Sequence, residues 1–132
     1  MLKIAAGLAT ALISITAVAA ASSTSTTFSP GFSEDTVNVA GTTWHYQIGG
    51  AGRTVVLLHG YGDTGDMWAP LAPMLAKDYQ VIVPDLPGLG ESRPESPTAS
   101  YDMASVARSL HALLAKLNVQ REVVVGHDIG LM

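Results

Sequence analysis

A polar residue set between two glycines, just behind a run of β-branched residues, is where chemistry is first expected in this chain. In Glu122-Val123-Val124-Val125-Gly126-His127-Asp128-Ile129-Gly130 the three valines read as a strand buried on both faces. Gly126 and Gly130 bracket Asp128 with the spacing of a tight strand-to-helix elbow. Such a turn pushes its central residue toward φ > 0 and crowds its neighbours against the strand, which is why they are small. It lifts the Asp128 carboxylate to the top of the sheet, where a helix should begin. A carboxylate, with a reference pKa of about 3.9, is ionised at neutral pH without help, and a helix N-terminus favours that charge. A Ser in its place would need an adjacent His to take its proton. Attack by a carboxylate on an ester gives a reactive anhydride. Attack on the sp³ carbon of an epoxide or a carbon–halogen bond gives a stable ester that water must then hydrolyse. Asp128 therefore points to alkyl-transfer hydrolysis.

The elements that must position this residue are legible upstream. Val37, Val39, Thr43, His45 and Tyr46, on either side of Ala40-Gly41-Thr42, predict two short strands joined by a turn. Thr54-Val55-Val56-Leu57-Leu58 and Gln80-Val81-Ile82-Val83 read as two further buried strands. The first runs into His59-Gly60-Tyr61-Gly62, the second into Pro84-Asp85-Leu86-Pro87-Gly88-Leu89-Gly90-Glu91-Ser92. Between them lies a short helical piece with Thr64 or Asp66 as cap, its Trp68, Leu71, Met74 and Leu75 facing the core and Pro70 and Pro73 limiting it. Ser100 or Asp102 caps the best helix. Its Met103, Val106, Ala107, Leu110, Leu113, Leu114 and Leu117 share one face, and it ends near Asn118. Alternating strands and helices make this an α/β pattern with parallel pairing and right-handed crossovers. His45 reads as a half-buried structural side chain with no neighbour to share a metal, and His111 as a surface residue.

Composition excludes several classes. The 132 residues are 48% hydrophobic and 14% charged, with a formal charge of -4 and no basic stretch, which argues against nucleic acid as a partner. No Cys is present, so disulfides, thiol catalysis and thiolate metal sites are out. Residues 1–21 read as a secretory signal peptide: Lys3, an apolar run from Ile4 to Val18, then small residues around Ala19 and Ala21. The run is shorter and more polar than the roughly 20 apolar residues a membrane span prefers. Cleavage would leave a secreted or periplasmic protein without stable membrane insertion. Residues 22–34 read as a Ser/Thr-rich linker, and 35–132 as the N-terminal portion of an α/β domain. The chain stops two residues past the elbow, where a helix should start, so the reading is of a truncated domain.

Three motifs now line up after three successive strands: His59-Gly60-Tyr61-Gly62, Asp85-Leu86-Pro87-Gly88-Leu89-Gly90-Glu91-Ser92, and Gly126-His127-Asp128-Ile129-Gly130. Together they resemble the α/β-hydrolase superfamily and, through the elbow Asp, its epoxide hydrolase and haloalkane or haloacetate dehalogenase branch. The resemblance implies that Asp128 is the nucleophile and that the backbone N–H groups of Tyr61 and Ile129 form the oxyanion hole. It implies supporting roles for His59 and Gly60 in the oxyanion loop, and for Gly126, His127 and Gly130 in the elbow. The Asp85 to Ser92 loop is implied to be structural. No cofactor or metal is implied. The substrate would be a small epoxide or organohalide, with oligomeric state left open. The water-activating His and the lid of complete members are expected beyond Met132, since none of His45, His59, His111 or His127 fits the base role.

Ile129 stands where dehalogenases of this branch carry Trp and where fluoroacetate-specific members carry Arg. Epoxide opening needs neither, so an epoxide hydrolase-like enzyme is the leading expectation. A haloacid or haloalkane dehalogenase is the alternative. A non-catalytic exported binding module, keeping the fold and using Asp128 structurally, is the alternative from another class.

Overall fold

The computed structural model describes Phe28 and residues 30–132. The expected signal peptide, and the linker apart from Phe28 and residues 30–34, lie outside the described residues. No helix among the described residues is long and apolar enough to cross a membrane.

Six strands among the described residues form one sheet. β1 (Phe32–Val39) and β2 (Thr42–Gly49) make an antiparallel hairpin. Its two-residue turn places Ala40 at φ 51° and Gly41 at φ 72°, the left-handed pair that matches the twist of the flanking strands. β3 (Thr54–Leu58), β4 (Gln80–Pro84) and β6 (Glu122–Gly126) are parallel, with β3 in the middle, and β2 joins β4 antiparallel. A short β5 (Arg93–Pro94) pairs with β2. The order β1-β2-β4-β3-β6 is thus a parallel set leading to the predicted elbow, with the N-terminal hairpin added to it.

Side chains on β3 and β4 alternate between two cores, as the period of a strand requires. Val56, Leu58 and Ile82 join Trp44, Tyr46, Leu113 and Leu114 on one face. Val55, Leu57, Val81 and Val83 join Phe28 and Ala72 on the other. Each buried Val, Leu, Ile or Phe side chain among them contributes about 1.5–3 kcal/mol by leaving water. Helix α2 (Met103–Lys116) covers the first face and the short α1 (Ala72–Leu75) the second. Asp102, not Ser100, caps α2 by accepting the Ser105 N–H at 2.9 Å. Asn118, at φ 60°, ends it with the Val119 N–H returning to the Leu114 carbonyl.

Four expectations are corrected. The sheet starts at Phe32, inside the stretch read as linker, because β1 needs only a partner strand and no apolar run. Phe28 is buried against Val55, Leu57, Val81 and Val83, so that tract does contribute to the core. Met74 is 64% exposed and Ala107 is exposed, while Ser109 is buried and accepts the Trp44 indole N–H at 3.1 Å. Val123 and Val124 are 48% and 43% exposed, because β6 is the last strand of the sheet and the described residues cover neither its faces nor its outer edge as fully as those of β3.

Candidate active site

β3, β4 and β6 run parallel, so their C-terminal ends meet on one side of the sheet, and Leu58 pairs with Gly126 at that edge. The loops that follow them meet there too. Past β6 the chain turns sharply, with Asp128 at φ 52°, a conformation that costs a non-glycine residue of order 1–3 kcal/mol and persists only where the surroundings enforce it. The enforcement is steric. A Cβ on Gly126 would lie 2.4 Å from the Gly130 carbonyl oxygen, and one on Gly130 would lie 2.7 Å from that of Leu58 and 2.9 Å from that of His59. The two turns of backbone therefore touch without side chains between them. Gly130→Ala is expected to cost about 1–3 kcal/mol by overpacking, read as a lower urea midpoint at unchanged denaturant slope; an unchanged midpoint would show that the elbow has slack.

Asp128 is exposed, and its Oδ2 accepts the Tyr61 N–H at 3.0 Å. Hydrogen bonds from the Tyr61 and Ile129 N–H groups hold its carboxyl below the usual carboxylate range, with the charge of His127 adding to them and slight desolvation opposing. The structure thus brings together Asp128, Tyr61 and Ile129. Gly60 permits the approach: a Cβ there would lie 2.7 Å from His127 Nδ1 and 3.1 Å from Asp128 Cβ. His127 is exposed, and its backbone N–H donates to the Leu58 carbonyl at 3.0 Å.

His59 is fully buried and lies between the two upstream loops. Its Nε2 accepts the Leu86 N–H at 2.9 Å, so the proton belongs on Nδ1, which donates to the Gly60 carbonyl at 2.8 Å. Asp85, also buried, accepts the Gly65 N–H at 2.7 Å through Oδ1 and the Glu91 N–H at 2.8 Å through Oδ2. Tyr61 and Ile129 line a cavity of about 460 Å³ whose other walls include Leu86, Leu89, Met103 and Val106. The lining is mostly apolar, with Tyr61 and Tyr101 as its side chains bearing hydroxyls, a composition that suits a small organic ligand.

One cluster escaped the sequence. His45 is buried, not half-buried, with Nδ1 2.9 Å from Asp85 Oδ2 and Nε2 2.7 Å from Glu34 Oε1. Glu91 brings a third carboxylate close enough that one atom from each of Glu34, His45 and Glu91 lies within 4.8 Å of the others. The expectation that His45 has no such neighbours is therefore corrected. Glu34 sat in the presumed linker, and only the alternation of Phe32, Glu34, Thr36 as a strand could have pointed to it.

Residues 53–130 match the family model described as alpha/beta hydrolase fold, and the chain belongs to that family. Among its relatives, it is 38% identical over 86 residues to a soluble epoxide hydrolase of Corynebacterium sp. (strain C12), covering 65% of this chain and 29% of that protein. It is 37% identical over 103 residues to a fluoroacetate dehalogenase of Burkholderia sp, covering 76% and 34%. The Cif epoxide hydrolase structure from Acinetobacter nosocomialis superposes with a TM-score of 0.73 at 33% identity, covering 78% of this chain and 32% of that one. The chain thus spans about a quarter to a third of the length of the curated relatives it matches. Epoxide hydrolases and a dehalogenase stand among these relatives.

Proposed function

We propose that this chain carries the nucleophile and oxyanion hole of an epoxide hydrolase-like enzyme. The observation that carries the reading is the Asp128 carboxylate at the strained elbow, held through Oδ2 by the Tyr61 N–H. In the first step Oδ1 attacks an epoxide carbon. The new O–C bond forms as the ring C–O bond breaks, and the ring oxygen, an alkoxide still attached to the ester's alkyl group, takes up a proton from water. Oδ2 becomes the ester carbonyl oxygen, already held by the Tyr61 N–H. In the second step water attacks the Asp128 carbonyl carbon, and the negative charge gathers on Oδ2, where preorganised N–H groups stabilise it most. Collapse expels the diol and regenerates the carboxylate. The second step needs a general base. His59 is committed to Leu86 and Gly60, and His45 to Asp85 and Glu34, so neither serves.

The apolar cavity beside Tyr61 and Ile129 supports an uncharged substrate. Ile129 offers no cation to a substrate carboxylate and no indole N–H to a leaving halide, which favours epoxides over haloacetate and haloalkanes. Incubated with styrene oxide, fluoroacetate, 1-chlorobutane and p-nitrophenyl acetate, the protein carrying this chain is expected to release diol well ahead of halide or nitrophenol. Halide release without diol would replace this reading with dehalogenation.

A further inference from the structure

His45 lies on β2 with a carboxylate against each ring nitrogen, Asp85 at 2.9 Å and Glu34 at 2.7 Å. A neutral imidazole has one N–H and one lone pair, so it cannot donate at both nitrogens. Two flanking carboxylates at hydrogen-bond distance call for the imidazolium. A bridging divalent ion would use the same donors together with Glu91. Zinc bonded at about 2.0–2.1 Å to each of two tetrahedral ligands, however, keeps those ligands more than about 3 Å apart. The 2.7 Å separation is that of a hydrogen bond.

Asp85 passes this anchor on to both loops beside Asp128. Its carboxylate holds the Gly65 N–H, at the far end of the loop that carries Tyr61, and the Glu91 N–H in its own loop. The next residue, Leu86, donates to His59 at the near end of the Tyr61 loop. Ser92 closes the circuit, its Oγ accepting the His45 backbone N–H at 2.8 Å. We propose that His45, as an imidazolium shared by Glu34 and Asp85, is a positioning residue that ties the hairpin to both loops of the candidate active site and gives that site an alkaline limit.

Among the described residues, the titratable groups brought to the ring are Glu34 from β1, and Asp85 and Glu91 from the loop after β4. Burial, the largest single influence, lowers the ring's pKa. The hydrogen bonds to Glu34 and Asp85, with the charges of both, outweigh it and leave the value above the ordinary 6.5. A raised folded-state pKa stabilises fully below the unfolded value, and that contribution is lost as pH rises through the folded one. The loops should therefore loosen on the alkaline side.

Carbon–proton NMR of the ring is expected to show His45 titrating above the ordinary histidine value. Glu34→Gln, at a partly exposed position, should lower that midpoint by about one pH unit. Amide exchange at Gly65 and Glu91 should quicken past the midpoint by more than base catalysis alone gives, and Glu34→Gln should move that onset down with the ring. His45→Asn should leave exchange fast at every pH. If it does not fold, the Glu34→Gln series still decides the matter. A ring neutral throughout the acidic range, or an exchange onset indifferent to Glu34→Gln, overturns the proposal. So does a thermal midpoint raised by zinc chloride and restored by EDTA in the wild type but not in Glu34→Gln. The loop measurements need no turnover; only the consequence for catalysis rests on Asp128 as nucleophile. Coupled exchange with no consumption of styrene oxide would keep the His45 linkage and reject the epoxide reading.

Discussion

A single turnover in heavy-oxygen water should leave the label in the Asp128 carboxylate and none in the first diol released. The expectation follows from which carbon the water attacks: in a two-step mechanism it is the carbonyl carbon of the enzyme's own ester, so the oxygen delivered to the product comes from Asp128. Mass spectrometry of the peptide containing Asp128 reads this directly. Asp128→Ala should lower epoxide turnover by about six orders of magnitude, the scale seen when a nucleophile that works as part of a unit is removed. The fold should survive, because the side chain is exposed and a methyl group fits the same turn. Because the Tyr61 and Ile129 N–H groups depress its pKa, Asp128 should also remain a nucleophile at pH values where an ordinary carboxylate is protonated. Loss of activity on its account should appear only below the usual carboxylate range. Label found in the first diol, with none in the peptide, would mean direct attack by water and would leave Asp128 at most a general base.

The largest effect on stability is expected at Asp85, not at the nucleophile. Asp85→Ala removes the acceptor for the Gly65 and Glu91 N–H groups and one of the two carboxylates beside a buried ring. Breaking a buried ion pair by deleting one partner typically costs about 3–5 kcal/mol, because the remaining charge is left uncompensated. That is a large share of the 5–15 kcal/mol by which native domains are stable, so the variant should have a much lower urea midpoint or fail to fold. Asp85→Asn keeps one carbonyl oxygen as acceptor and should fall between the two. A midpoint for Asp85→Ala within about 1 kcal/mol of wild type, the net worth of a single ordinary hydrogen bond, would show that water or a rearranged loop replaces the carboxylate.

The sequence by itself determined the local geometry of this chain. Gly126, Asp128 and Gly130 specify an elbow because only that arrangement lets the backbone pass Leu58 and His59 without collision, and Asp128 does adopt φ 52°. The runs at Thr54–Leu58 and Gln80–Pro84 specify strands buried on two faces, and the spacing of Val106, Leu110, Leu113 and Leu117 specifies α2. Such features depend on sterics and periodicity within a few residues. The assembly of the site did not lie in any one stretch. Tyr61 meets Asp128 across 67 residues because β3 lies beside β6, and Asp85 meets Gly65 because β4 lies on the other side of β3. Glu34 reaches His45 only through the register of the β1–β2 hairpin, and Phe28 enters the core only because β3 and β4 present Val55, Leu57, Val81 and Val83 on its side. Those pairings come from the strand order, which a linear pattern of apolar residues does not encode. The tertiary structure alone therefore decided which buried charges face one another, while the donors at the Asp128 carboxylate were reached from the sequence only through the family resemblance.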